Sequence, residues 1–123
     1  MKMPGFSQQI TFLHSNDLGI TRDFYTKLLG LSLVRDQGTC LIFEITETAF
    51  LGFCQHITPV PEGRNVILTL ISEDVDGWYQ YLIDKGNKTL TPPKHNPEYH
   101  IYHFFLKDPD GFWIEIQKFD QPL

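Results

Sequence analysis

Apolar and polar positions along the chain change period in a repeating order. Ser7 to His14 alternates, with Ile10, Phe12 and His14 on one face and Thr11 and Leu13 on the other, which predicts a strand. From Ile20 the spacing becomes helical: Ile20, Phe24 and Leu28 recur at four, with Tyr25 and Leu29 beside them. Ser15-Asn16-Asp17 offers caps and Gly30 a stop. Short strands are predicted at Leu31 to Arg35, Cys40 to Ile45 and Ala49 to His56. Ile57 to Gly63, with Pro59 and Pro61, reads as a linker.

The plan then repeats. Asn65 to Ile71 predicts a strand, and Asp74 or Asp76 caps a helix with Val75, Trp78, Tyr79, Leu82 and Ile83 on its apolar stripe. Gly86 ends it, Lys88 to Leu90 is a short strand, and Thr91 to Tyr99 is a long proline-bearing loop. Two strands close the chain, His103 to Leu106 and Phe112 to Ile116, joined by Asp108-Pro109-Asp110-Gly111. That tetrapeptide is a turn: proline presets one dihedral, aspartate bonds its own backbone, and glycine takes the left-handed corner. The helix starts Asp17 and Asp74 are 57 residues apart, and the stops Gly30 and Gly86 are 56 apart. The chain is therefore read as an α+β fold in one domain, 1–123, of two tandem βαβββ modules, 7–57 and 63–118. Helices on one face of each sheet would leave the other faces free to form a curved, cup-like mixed sheet.

Composition narrows the function. A length of 123 residues suits one domain, and a net charge of −5 argues against nucleic acid or an anionic membrane as partner. No apolar run reaches the roughly 20 residues of a membrane span, and Met1-Lys2-Met3-Pro4-Gly5 does not read as a signal peptide. A cytoplasmic protein is expected, with Cys40 and Cys54 as reduced thiols that could face each other across neighbouring strands. Ten Phe, five Tyr and two Trp are enough for a core and an aromatic pocket wall.

Three motifs carry a resemblance. Asp17-Leu18 with Phe24-Tyr25 and Leu29-Gly30-Leu31, Asp74-Val75-Asp76 with Gly86, and Asp108-Pro109-Asp110-Gly111 with Ile114-Glu115-Ile116 together resemble the vicinal oxygen chelate superfamily. That superfamily includes glyoxalase I, bleomycin-resistance proteins, fosfomycin-resistance enzymes and extradiol dioxygenases. The resemblance implies a cup that, in metal-dependent members, holds one divalent ion through two ligands from each half. Glu115 matches the last ligand position. The other three fall at Ile10, Gly52 and Ile67, which carry no donor atom. A transition-metal site needs three or more N, O or S donors, so no metal or other cofactor is expected. If the Ala49 to His56 strand is slipped, His56 could join Glu115 and His103 around an ion.

Strand parity sets the candidate pocket. Glu115 shares its face with Trp113 and Gln117. The same frame points Phe12 and His14, Phe50, Cys54 and His56, and Asn65 and Thr69 inward, and comparison with fosfomycin-resistance enzymes adds His103 and Phe105. His14 is expected at the rim, and the loop around His95 and His100 could be a lid. The favoured function is binding of a small aromatic or antibiotic-like molecule without metal. The alternative is an enzyme, a lyase, isomerase or dioxygenase, that uses Glu115 and His103 for acid–base chemistry. The resemblance also implies a homodimer.

Overall fold

The computed structural model describes residues 3–59 and 66–123. The chain divides into two compact units, Met1–Val60 and Pro61–Leu123, and each runs βαβββ. The end of the expected linker and Asn65 lie outside the described residues.

In the first unit, β1 (Gln9–His14) is followed by α1 (Leu18–Asp23), which continues as a π-helical turn over Phe24–Leu28. Then come β2 (Ser32–Asp36), β3 (Cys40–Thr46) and β4 (Ala49–Cys54), in the sheet order β1-β4-β3-β2. β1 and β4 are parallel and the other pairs antiparallel, so the sheet is mixed. Asp17 caps α1, its Oδ1 accepting from the amides of Gly19 and Ile20 at 2.9 and 3.1 Å. The helix does not bury the stripe expected from Ile20, Phe24 and Leu28. Ile20 is 56% exposed and Phe24 and Leu28 are half-buried, while Tyr25 and Leu29, expected beside them, are buried together with Thr21. Tyr25 sets this face: its ring stacks on Phe53 with centroids 4.6 Å apart and lies 5.5 Å from Phe43. A hydrogen bond of 2.6 Å between the hydroxyls of Thr21 and Ser15 fixes the same face one turn earlier.

The expectation of two reduced thiols is overturned, because Cys40 and Cys54 form a disulfide. They are directly opposed in the β3–β4 register. The amide of Gln55 donates to the carbonyl of Thr39, which makes Cys40 and Cys54 a non-hydrogen-bonded pair. Side chains approach closest at such pairs, and here the Cα atoms are 4.1 Å apart.

In the second unit, β5 (Ile67–Ile71) leads to α2 (Val75–Asp84), then β6 (Lys94–Asn96), β7 (Ile101–Lys107) and β8 (Trp113–Phe119), with sheet order β5-β8-β7-β6. β5 and β8 are parallel. Asp74, not Asp76, caps α2 by accepting from the Gly77 amide at 2.9 Å. Val75 and Leu82 are buried as expected, Tyr79 packs edge-on to Phe104, and Ile83 stays 43% exposed. The closing turn forms as read: Asp108 Oδ1 accepts from the amides of Asp110 and Phe112, and Gly111 sits at φ 87°.

The strand expected at Lys88 to Leu90 is absent, and the edge strand lies instead inside the proline-bearing segment, at Lys94–Asn96. Side-chain chemistry explains the shift. The hydroxyls of Thr89 and Thr91 accept from the amides of Lys107 and Phe105, while the Thr91 amide donates to the Phe105 carbonyl, so side chains take over part of the backbone ladder there. Regular pairing resumes only after Pro92 and Pro93, where Lys94 opposes His103. Among the described residues no helix is long and apolar enough to cross a membrane.

Two outcomes follow from these contacts. Reduction of the disulfide opens a loop spanning a separation of 14 residues. Denaturant unfolding with and without reductant is expected to show a loss of about 3 kcal/mol on chain-entropy grounds. On the helix side of the second sheet, the Tyr102 hydroxyl donates to Asp76 Oδ1 at 2.5 Å. That hydrogen bond, then desolvation and the nearby negative charge, raises the phenol above its usual 10.0. The neutral phenol is the favoured form, so this contribution is present below pH 10 and is lost as pH rises through the raised value. Ultraviolet titration, with Tyr102→Phe as the reference, is expected to place this tyrosine above 10 and to bring it back toward 10 in Asp76→Asn.

Candidate functional site

β8 alternates between two environments. Ile114 and Ile116 are 0% and 2% exposed on the face packed against α2, so Trp113, Glu115 and Gln117 project from the other face. Glu115 is buried there, and a buried carboxylate requires donors. Three side chains supply them. Thr69, its Cα partner on β5, donates its hydroxyl to Oε1 at 2.9 Å. His103 on β7 bonds Oε2 through Nδ1 at 2.6 Å. Gln117, with its amide nitrogen turned toward Glu115, donates to both oxygens at 3.2 and 3.1 Å. The carboxylate is thus fully engaged, and strands β5, β7 and β8 are tied together through it.

This arrangement places a proton on His103 Nδ1. A carboxylate accepts only, so Nδ1 carries the proton it donates. In neutral imidazole Nε2 is then an acceptor with a lone pair, and this atom is buried without a hydrogen-bond partner among the described residues. His103 also lines a cavity of about 340 Å³ with Thr91, Pro92, Lys94 and Phe105. Beside it, Phe105 meets His103 edge-on at 5.3 Å and Trp113 at 5.8 Å, and the Lys107 ammonium stands 4.7 Å from the Trp113 ring centre. Thr91, Pro92, Lys94 and Lys107 were not foreseen. Lys107 could have been found by parity, since it shares a β7 face with His103 and Phe105.

Of the expected pocket residues, the structure brings Thr69, His103, Phe105, Trp113, Glu115 and Gln117 together on one face of the second sheet. The first-unit candidates fare differently. Phe12 and Phe50 lie on β1 and β4, with Phe12 43% exposed and directly opposite Gly52. A Cβ on residue 52 would stand 2.3 Å from Phe12 Cδ1, so glycine is what lets the ring cross the strand. His14 is not an open rim residue. It is buried, and both ring nitrogens are taken, Nδ1 by the Ile57 carbonyl and Nε2 by Asn16 Oδ1, each at 2.7 Å. Cys54 is consumed by the disulfide. His56 lies beyond the end of β4, exposed, with Nδ1 3.8 Å from Cys40 Sγ. His95 pairs with Asp120 at 2.8 Å, on a strand edge rather than in a free loop.

A divalent ion of the kind held by metal-dependent members of the resembled superfamily does not fit the donors of the second sheet. Of the His, Cys, Asp and Glu side chains such an ion favours, the cluster there offers two, Glu115 and His103, already bonded to each other, and the Thr69 hydroxyl and Gln117 amide beside them are themselves bonded to Glu115. Ile67, at the remaining position, is apolar and 55% exposed. Among the described His, Cys, Asp and Glu residues the one group of three that could hold an ion is Cys40, Cys54 and His56.

Comparison with solved structures finds the fold in many proteins. TnmS3, an antibiotic-binding protein from Streptomyces sp. CB03234, matches with a TM-score of 0.81 at 24% identity, over 95% of this chain and 98% of that one. A bleomycin resistance determinant encoded on the transposon Tn5 matches with a TM-score of 0.75 at 19% identity, over 94% and 100%. Lactoylglutathione lyase from Agrobacterium tumefaciens matches with a TM-score of 0.73 at 18% identity, over 94% and 96%. A comparison with curated proteins finds no significant match. The family profile for the glyoxalase/bleomycin resistance protein/dioxygenase superfamily matches residues 8–116. With two βαβββ modules and mixed sheets as its fold, the chain belongs to that superfamily.

Proposed function

We propose that the second sheet binds a small organic molecule directly, with no metal ion between protein and ligand. The full engagement of Glu115 by Thr69, His103 and Gln117 carries this reading. It turns the carboxylate into an orienting group and leaves His103 Nε2 to meet the ligand. Phe105, Trp113 and the Lys107 ammonium supply a stacking edge suited to a planar or aromatic molecule. That one structural relative is an antibiotic-binding protein and another a bleomycin resistance determinant favours an antibiotic-like ligand. A homodimer belongs to the same reading, since Ile10, Phe12, Ile67 and Ile71 leave 41% to 55% of their surfaces exposed. A monomer by light scattering at micromolar concentration would remove that part.

Calorimetric titration with bleomycin and a panel of planar aromatic antibiotics, after dialysis against a chelator, tests the proposal. Binding is expected to survive the chelator. His103→Ala is expected to weaken it about tenfold, the value of one hydrogen bond at roughly 1.4 kcal/mol. Trp113→Ala is expected to weaken binding by a similar factor through lost stacking. Affinity that vanishes with the chelator and returns with a divalent ion would sink the metal-free reading.

The hydrogen bond from His103 Nδ1 to Glu115 favours one second reading. It orients the imidazole and makes Nε2 a candidate general base, as required for proton transfer in a lyase or isomerase. The ligand's fate separates the two: unchanged on recovery for a binding protein, converted for an enzyme. For an enzyme, His103→Ala is expected to lower kcat by about 10²–10⁴-fold. Glu115→Gln is expected to lower kcat more than it raises KM, because it alters orientation rather than contact.

A further inference from the structure

The corner where β3 begins and β4 ends holds chemistry that the proposed binding site does not use. We infer that Cys40, Cys54 and His56 form a redox-gated site for a soft divalent ion, closed as a disulfide and able to hold Zn²⁺ when reduced. The ligand atoms of the three residues already lie within 4.8 Å of one another. A tetrahedral zinc with bonds of about 2.0–2.3 Å places neighbouring ligand atoms roughly 3.5–3.8 Å apart. His56 Nδ1 is 3.8 Å from Cys40 Sγ, at the upper end of that range before any rearrangement. Opening the disulfide requires only that the two sulfurs swing apart by side-chain rotation on neighbouring strands. The register fixes both backbones: Cys40 and Cys54 are opposed, and the Gln55 amide anchors the turn to Thr39.

The donor set matches the ion. Two thiolates and one imidazole are soft and borderline ligands that suit Zn²⁺ and not Mg²⁺ or Ca²⁺. The buried sulfurs give the site a dry side, and exposed His56 leaves a wet side where water can take the fourth position. The chemistry balances. A phosphine reductant and one water become the phosphine oxide, delivering two electrons and two protons to the S–S bond and leaving two thiols. A dithiol does the same by closing its own disulfide. Zn²⁺ then displaces one proton from each thiol and accepts the neutral imidazole. A small-molecule disulfide, taking two electrons from the thiolates and two protons from water to become two thiols, returns both sulfurs to their mutual bond and expels the ion, because a disulfide sulfur has no thiolate charge to donate.

The inference is independent of the ligand reading above, and cobalt titration of the full chain tests both apart. Phosphine-reduced protein is expected to bind one equivalent of Co²⁺ with a thiolate-to-cobalt charge-transfer band, and Zn²⁺ is expected to bleach it. Protein left oxidised is expected to show neither, and reoxidation of the loaded sample should release the ion. His56→Ala is expected to weaken the reduced site at least about tenfold, with Glu115→Gln leaving it unchanged. No charge-transfer band in the reduced wild type, or equal binding by oxidised protein, would overturn the inference without mutagenesis and so without any question of misfolding. Wild-type affinity in His56→Ala would also overturn it, by removing the third ligand. Co²⁺ bound without a thiolate band, and lost in Glu115→Gln, would instead assign the metal to the second sheet, overturning this inference and the metal-free reading together.

Discussion

The second module is built around the cost of burying one carboxylate. Glu115 lies in a strand whose neighbours, Ile114 and Ile116, are almost wholly buried. A strand has a period of two, so Glu115 cannot follow them under α2. On the opposite face it is still only 8% exposed, and a buried, unpaired carboxylate would cost several kcal/mol. The sheet order β5-β8-β7 answers that cost by setting Thr69 on one side and His103 on the other, with Gln117 two residues along. Register, topology and electrostatics converge on one atom group. A side effect is chemical: the bond that satisfies Glu115 also puts a proton on His103 Nδ1 and leaves Nε2 without a partner among the described residues.

The first module shows what the same backbone does when that constraint is absent. Phe12 and Thr69 each stand five residues before the aspartate that caps the module's helix. Their strand partners are Gly52 and Glu115. Where the second module places a hydroxyl beside a carboxylate, the first places a phenyl ring across a glycine. Neither exchange is a single substitution. A Cβ at residue 52 collides with Phe12, and a phenyl ring at residue 69 would deprive Glu115 of a donor. The duplication therefore survives in the backbone plan, while each module has locked its own pair.

Local chemistry was legible in the sequence and register-dependent chemistry was not. The turn at Asp108 to Gly111 and the caps at Asp17 and Asp74 could be read because the bonding groups lie within a few residues of each other. The inward set of β8 could be read because parity needs no partner strand. His14 could not be judged, since its saturation depends on Ile57, 43 residues away. The edge strand was displaced because two threonine hydroxyls substitute for backbone carbonyls, a competition that composition does not reveal. The disulfide was missed for a different reason. Cys40 and Cys54 are opposed by strand register, a property of the chain, whereas free thiols follow only from a reducing compartment, which the chain does not encode.

The two polar clusters also differ in what it takes to free their donors. For Glu115 to ligate an ion, hydrogen bonds from Thr69, His103 and Gln117 must yield, each worth about 1–3 kcal/mol once a charged acceptor is involved. Even then, among the described His, Cys, Asp and Glu side chains of that cluster, only His103 stands beside it, and it must surrender its own bond. At the end of β4 the sulfurs are withheld by a single covalent bond that a two-electron reductant opens, and His56 already stands beside them exposed. The first cluster spends its donors on folding, which keeps its geometry constant and suits a ligand-gripping surface. The second keeps its donors in reserve, which suits a response to conditions. In this chain, rigidity and reactivity are separated between two modules of one topology.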